Sequence, residues 1–269
     1  MDKAVYPNTI YPFHYYSAIF APFMPSISAV IITFNEERNI ARCLQSLQGV
    51  VADIVVVDSF STDNTVAICQ NYGARVVQHK FSGHIEQKNW AIGQARYPHI
   101  LSLDADEALS PELQKSIQKL NADWTFGGYK MNRLTNYCGH WIRHGGWYPD
   151  TKLRLWDSRL GKWGGLNPHD KFEFNHPETK VGFLKGDIEH YSYYTHQEHK
   201  ERSIHYGKIG AKAIRVRNEK GSWWKRWINP PFKFIRNYLF KLGFLDGADG
   251  LYIALQSVKE TYIKYSHKG

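Results

Sequence analysis

Four short apolar runs, separated by stretches of helical spacing, constrain this chain more than any other feature. They are "ISAVIITF" (Ile27 to Phe34), "DIVVVDS" (Asp53 to Ser59), "ARVVQH" (Ala74 to His79) and "HILSLDAD" (His99 to Asp106). Runs this short and this continuously apolar suit strands covered on both faces. The segment after the first run places Ile40, Cys43, Leu44 and Leu47 on one helical face. "STDNTVAICQNYG" and "GHIEQKNWAIGQA" read as further helices, and "SPELQKSIQKL" opens with Ser110, Pro111 and Glu112, a helix start signal. Strands alternating with helices predict an α/β fold: a Rossmann-like, mainly parallel sheet with helices on both faces.

The 269 residues suffice for one large α/β domain with an appendage. The pattern divides into an irregular N-terminal extension (1–25), a first half (26–123), a second half of short Gly- and Trp-rich strands (124–197) and a basic helical extension (198–269). The extension carries Pro7, Pro12, Pro22 and Pro25, which interrupt any run long enough to span a bilayer. Met24, just ahead of the first run, is an alternative start. Three cysteines without a CxxC pair argue against a disulfide framework and suit a reducing cytoplasm. The net charge of +9 is local. From Lys200 onward the chain carries 15 Lys and Arg against 5 Asp and Glu, while the first 199 residues carry 19 against 20.

In an open parallel sheet, ligands bind outside the carboxyl ends of the strands. Those ends are Thr33-Phe34-Asn35-Glu36, then Asp58-Ser59 with Asp63 beyond, then Asp104-Ala105-Asp106-Glu107. Clustered carboxylates repel one another, so a fold that gathers them has a cation or a proton-transfer task for them. The set suits the ribose, base and metal-bound phosphates of a nucleotide. Neither a GxxxxGK[ST] nor a GxGxxG motif occurs.

"AVIITFNEERNIARCLQSL", "DIVVVDSFSTDNT", "QKNWAI" and "LSLDADE", in this order, resemble family 2 glycosyltransferases with the GT-A fold. "RLWDSRLGKWGGLNPHDKF" and "GFLDGADGLYIA" resemble the branch that includes bacterial lipopolysaccharide-core β-glucosyltransferases. The resemblance implies a nucleotide-sugar half (26–123), an acceptor half (124–197) and an inverting transfer of a hexose, glucose first, from a UDP-sugar to a lipid-linked saccharide. It implies a divalent cation, Mg²⁺ or Mn²⁺, at the Asp-x-Asp motif, with Asp106 on the metal and Asp104 on the metal or nearer the ribose; His169 and His190 are metal or phosphate ligand candidates by residue type alone. Alternation along an extended segment would send Asp104 and Asp106 the same way. Thr33, Asn35, Glu36, Asp58 and Asp63 are implied around the nucleoside, and Lys88 near the sugar or phosphates. Asp63 and Ser61 are alternatively helix caps.

An inverting transfer needs a base for the acceptor hydroxyl. Asp170 in "GGLNPHDKF" is the first candidate and Glu107 the second; related transferases often read His-Glu where this chain has His169-Asp170. Trp141, Trp147, Trp156 and Trp163 either stack on sugar or fill the core. The basic extension interleaves its cations with Trp223, Trp224, Trp227, Phe232, Phe234, Tyr238 and Phe240, and predicts attachment to an anionic membrane surface on the cytoplasmic side. Pro230-Pro231 is expected to break that extension into two short helices, and the last helix is expected from Leu251. The rival readings are a nucleotidyltransferase, which lacks its basic phosphate loop here, and a nucleic-acid binder, which the acidic strand tips would repel. No nucleic-acid partner is expected.

Overall fold

The computed structural model describes residues 26–120, 124–166, 169–216 and 224–266. The N-terminal extension, the start at Met24 and Trp223 lie outside the described residues, as does the side chain of His169. The first half alternates as its pattern requires: β1 (Ile27–Thr33), α1 (Ile40–Leu47), β2 (Asp53–Asp58), α2 (Thr65–Asn71), β3 (Arg75–Gln78), α3 (His84–Ile92) and β4 (His99–Asp104). There follow β5 (Glu107–Leu109), α4 (Pro111–Gln118), β6 (Gly128–Tyr137), β7 (His140–Ile142), β8 (Asp150–Asp157), β9 (Gly161–Leu166), β10 (His169–Phe174) and β11 (Val181–Tyr193). The strands order as β3-β2-β1-β4-β8-β6-β11-β5, with β7 on β6 and β9–β10 as a separate hairpin. The pairs β1–β2, β1–β4, β2–β3 and β6–β11 are parallel. Beyond β4 the sheet is mixed, because β8 runs antiparallel to both β4 and β6.

Side chains alternate across a strand, so β1 divides its apolar residues between two cores. Ile27, Ala29 and Ile31 pack with Ile40, Leu44, Leu47, Leu113 and Ile117 of α1 and α4. Val30 faces the other way, with Val55, Val57, Ala91 of α3, and Trp156, Trp163 and Phe172 around the hairpin. This second core decides where the chemistry lies, because it seats α3 and the β9–β10 hairpin side by side on one face of the sheet. Ser110 caps α4 as its sequence predicts, its Oγ accepting from the Leu113 N–H at 3.3 Å, with Pro111 in the first turn.

The basic extension forms α5 (His196–Val216), α6 (Lys225–Phe234), a π-helical turn (Ile235–Phe240) and α7 (Gly247–Ser266). Two expectations are corrected here. Pro230 and Pro231 lie inside α6 and do not end it; they remove two N–H donors, yet the Pro231 carbonyl still accepts from Ile235. The last helix starts at Gly247, not Leu251, and it packs on both α5 and α6. Asp246 ties it to the sheet by accepting from the backbone N–H groups of Arg143 (3.2 Å) and His144 (2.8 Å), and Asp249 bridges His140 (2.7 Å) and His196 (3.0 Å). No helix among the described residues is long and apolar enough to cross a membrane.

Candidate active site

The loops after β1 and β2 are fastened to each other by their own polar groups. Asn35 adopts a left-handed backbone (φ 53°); its N–H donates to Ser61 Oγ, and its Oδ1 accepts from the Thr62 N–H, both at 2.8 Å. The Glu36 N–H donates to Thr65 Oγ1 at 2.8 Å. Asp58, fully buried, accepts from the Ser61 N–H at 2.9 Å and the Ser61 hydroxyl at 2.5 Å. Asp63 accepts from the N–H groups of Thr65 (3.0 Å) and Glu37 (3.1 Å). Both carboxylates therefore shape the loops; Asn64 is the N-cap of α2 with no side-chain cap bond, and Asp63 just before it takes the Thr65 N–H of the first turn. Thr33 Oγ1 is buried with no protein partner among the described residues. It borders a cavity of about 240 Å³ with Phe34, Glu36, Phe81, Asp104 and Asp106. Burial pushes the Glu36 carboxyl above its ordinary value, and the charge of Asp106 adds to the rise while Asn39 opposes it.

Asp104 ends β4, and Ala105-Asp106 forms a turn before β5. That turn replaces the extended segment that the expected alternation requires; both aspartates still border the cavity of Thr33, but their partners differ. Asp104 receives Arg154 Nη2 at 2.8 Å and Lys88 Nζ at 3.2 Å. Burial alone would raise its pKa, but these cations hold it well below the usual carboxylate range. Asp106 Oδ2 instead lies 3.3 Å from His190 Nε2. Glu107, 1% exposed, accepts from Arg154 (2.8 Å), from Arg133 (3.3 Å) and from the Asp104 N–H (3.0 Å).

Lys88 on α3 is 6% exposed and joins the two halves of the site. Its ammonium lies 2.8 Å from Asp170 Oδ2 and 4.6 Å from the Trp163 ring centre. The neighbouring Asn89 clamps the hairpin that carries Asp170, since its amide donates to Trp163 O and accepts from Trp163 N–H, both at 2.9 Å. A cavity of about 800 Å³ opens here, bordered by Lys88, Asp104, Arg154, Asp170 and His190. The structure thus brings Lys88, Asp104, Asp170 and His190 to one cavity and Thr33, Glu36, Asp104 and Asp106 to the other, with Asp104 common to both.

The tryptophans do not form one wall. Trp156 is fully buried, stacked on Phe172 at 4.3 Å, and belongs to the core. Trp163 borders the large cavity, Trp141 meets Tyr191, and Trp147 lies among Tyr137, Tyr193 and His199. Sequence reasoning missed Arg154, Arg133, the buried Gln87 that donates to Ser59 Oγ at 3.1 Å, and the exposed rings of Phe34, Phe60 and Phe81. A lone arginine inside the apolar "LRLW" of β8 was the available signal for Arg154.

A divalent cation suits the residues around Asp106. Its carboxylate oxygen and His190 Nε2 are a little far apart for a good hydrogen bond and suitably placed for two neighbouring ligands of one ion. Among the described residues no group of three or more His, Cys, Asp and Glu could hold a metal by itself. Such ions are commonly bound by one or two carboxylates together with substrate phosphates.

Residues 28–175 match the family model described as glycosyl transferase family 2. An uncharacterised glycosyltransferase of Rickettsia bellii is 31% identical over 242 residues, covering 83% of this chain and 79% of its own. The lipopolysaccharide core biosynthesis glycosyltransferase LpsC of Rhizobium meliloti is 27% identical over 260 residues, covering 90% and 94%. Among solved structures, residues 1–349 of Staphylococcus aureus TarS in complex with UDP superimpose with a TM-score of 0.47 at 14% identity, covering 88% and 91%.

Proposed function

The chain belongs to glycosyltransferase family 2 and has its GT-A fold, and on that premise we propose that it moves a hexose, glucose first, from a UDP-sugar to a lipid-linked saccharide such as lipopolysaccharide core, with inversion. One observation carries the reading: Lys88 holds Asp170 at 2.8 Å and Asp104 at 3.2 Å across a single cavity. This sets a carboxylate opposite the strand tips at which a nucleotide would sit. LpsC, matched over nine-tenths of this chain, supports the acceptor class.

In this reading Asp170 accepts the proton of the acceptor hydroxyl as its oxygen attacks the anomeric carbon, and the UDP oxygen departs with the bond's electron pair. Lys88 orients Asp170 and offers its ammonium to the diphosphate. Arg154 Nη1, buried without a protein partner among the described residues, donates to the same group. Thr33 and Glu36 line the nucleoside end, and Asn35, Asp58 and Asp63 hold its loops. Asp106 and His190 would hold Mg²⁺ or Mn²⁺, which when bound would supply positive charge near the leaving diphosphate. Asp104, taken up by two cations, faces the ribose. Glu107 is a positioning residue in this reading, because it is 1% exposed and both its oxygens are engaged by Arg154, Arg133 and the Asp104 N–H.

The extension supports a place at the cytoplasmic face of the membrane. Trp227, Phe232 and Phe240 are 61%, 59% and 77% exposed, and lie among Lys and Arg on α6 and the turn after it. Aromatic rings favour the headgroup zone, and basic residues close to an anionic leaflet contribute about 1 kcal/mol each. Phe234 and Tyr238, in contrast, stack on each other at 5.2 Å.

The test of the transfer reaction is Asp170→Asn. The amide keeps the shape and cannot accept the proton, so turnover should fall by about 10²–10⁴-fold with UDP-sugar affinity retained. Turnover kept by Asp170→Asn and lost by Glu107→Gln would overturn the assignment.

A further inference from the structure

A further cavity, of about 240 Å³, lies between the catalytic sheet and the basic extension. Among the described residues it is bordered by Lys233, Arg236 and Lys241, with one acid, Glu260. Among the described residues none of these three cations is ion-paired; Arg236 Nε donates only to Asn237 Oδ1, at 3.1 Å. Burial pushes the Lys233 ammonium below its ordinary value, and the neighbouring Arg236 adds to the fall against the pull of Glu260. A half-buried ammonium whose one acidic neighbour, Glu260, makes no close ion pair with it is unfavourable, and an oxyanion would relieve it. Gly146 (φ 84°) lies under Lys241, and a Cβ there would stand 2.7 Å from the lysine Nζ, so the side chain lies across a surface that only glycine leaves open.

The position of this cavity says whose oxyanion it takes. Tyr193 and Tyr206 border both it and the 800 Å³ cavity of Lys88 and Asp170. On its other side Gly146 and Lys241 border another cavity, of about 370 Å³, which reaches the exposed Phe240 and Leu242. The three cavities run in sequence from the transfer centre to the apolar edge of the extension. The UDP diphosphate already has partners at the strand tips. A group in the middle cavity lies between the reacting hydroxyl and the lipid end.

We propose that Lys233, Arg236 and Lys241 form a subsite for a phosphate or carboxylate group carried by the acceptor saccharide, so that the enzyme selects an anionic acceptor. The proposal rests on the lipid-linked acceptor of the preceding section. The subsite fixes the acceptor by its charge at one point while the hydroxyl reaches Asp170 at another.

The test uses the full chain and the Lys233→Gln/Arg236→Gln double variant, with Lys241→Gln as an independent second variant. Binding is measured to deacylated lipopolysaccharide core oligosaccharide, to the same oligosaccharide freed of phosphates and with its carboxylates reduced, and to vesicles of phosphatidylglycerol. UDP binding serves as the check on folding. The expected result is at least a tenfold weaker binding of the native oligosaccharide by the variants, less than a twofold change for the neutral one, and unchanged UDP affinity. Native oligosaccharide bound equally by parent and variants would overturn this subsite alone. So would a loss confined to the vesicles, which would assign the cations to lipid headgroups. A parent that binds UDP and neither oligosaccharide would overturn the acceptor reading, and the subsite with it.

Discussion

Arg154→Met tests how much the site depends on its buried cation. Arg154 Nη2 serves Asp104 and Glu107 together, each at 2.8 Å, and its side chain is 6% exposed. Methionine fills similar space and leaves both carboxylates without that partner. Breaking a buried ion pair by removing one member typically costs about 3–5 kcal/mol. Here each acid keeps a second cation, Lys88 at 3.2 Å for Asp104 and Arg133 at 3.3 Å for Glu107. The loss should therefore fall at the lower end, about 3 kcal/mol, or about 6–12 °C in melting temperature for a chain of this size. Its pH dependence has a sign. The folded-state pKa of Asp104 is depressed, so its stabilisation is present above the unfolded value near 4 and is lost as pH falls through the folded one. Without Arg154 that depression shrinks, so parent and variant should differ most above about pH 5 and converge toward pH 3. Thermal unfolding followed by circular dichroism across this range measures both. A melting temperature within 1 or 2 °C of the parent at pH 7, or a gap that does not narrow in acid, would refute the reasoning (about 0.5 kcal/mol is the smallest shift of interest).

Asp106→Ala should abolish the part of UDP-induced thermal stabilisation that depends on Mn²⁺, because one of two protein donors is lost; equal Mn²⁺-dependent shifts in variant and parent would remove the metal assignment. His199 is buried, and that burial, helped by His196 and Arg202, pushes its imidazole down to about 4. Protons then favour the unfolded chain as pH falls below 6.5, so up to about 3 kcal/mol of stability should be lost between pH 6.5 and 4. His199→Gln should flatten that limb in a pH series of denaturant melts, and an unchanged limb would assign it to other groups. Trp227→Ser/Phe240→Ser should weaken flotation with anionic vesicles several-fold at low salt, with transferase activity on a soluble acceptor unchanged. Full-length protein that stays unbound to anionic vesicles at low salt would refute the membrane placement.

The alternating half of the fold was legible because strands covered on both faces cannot hide their composition: Ile27 to Thr33 and Asp53 to Asp58 show nothing polar at their centres. The carboxylates at the strand tips were legible as a group for the same reason, since they interrupt those runs. Their individual partners were not. Asp58 and Asp63 spend their oxygens on nearby loop N–H and hydroxyl groups, and nothing in a run of residues announces which group a carboxylate accepts from. Arg154 lies 50 residues from Asp104, and only the pairing of β8 with β4 brings it there. Trp156 and Trp163 look alike in sequence, yet one is sealed against Phe172 and the other borders the large cavity. Pro230-Pro231 misled for a local reason, as two missing donors weaken a helix that neighbouring α7 then supports.

The amide of Asn89 gives the site a mechanical property. Lys88 and Asn89 are consecutive on α3, and Asn89 holds both backbone groups of Trp163 on the hairpin that carries Asp170. The Lys88–Asp170 spacing therefore depends on a side-chain amide as well as on the ion pair itself, and Asn89→Ala would remove that second support while leaving both charged groups in place. Hydrogen exchange at the Trp163 amide, whose N–H donates to the Asn89 side chain, would report whether the clamp is closed.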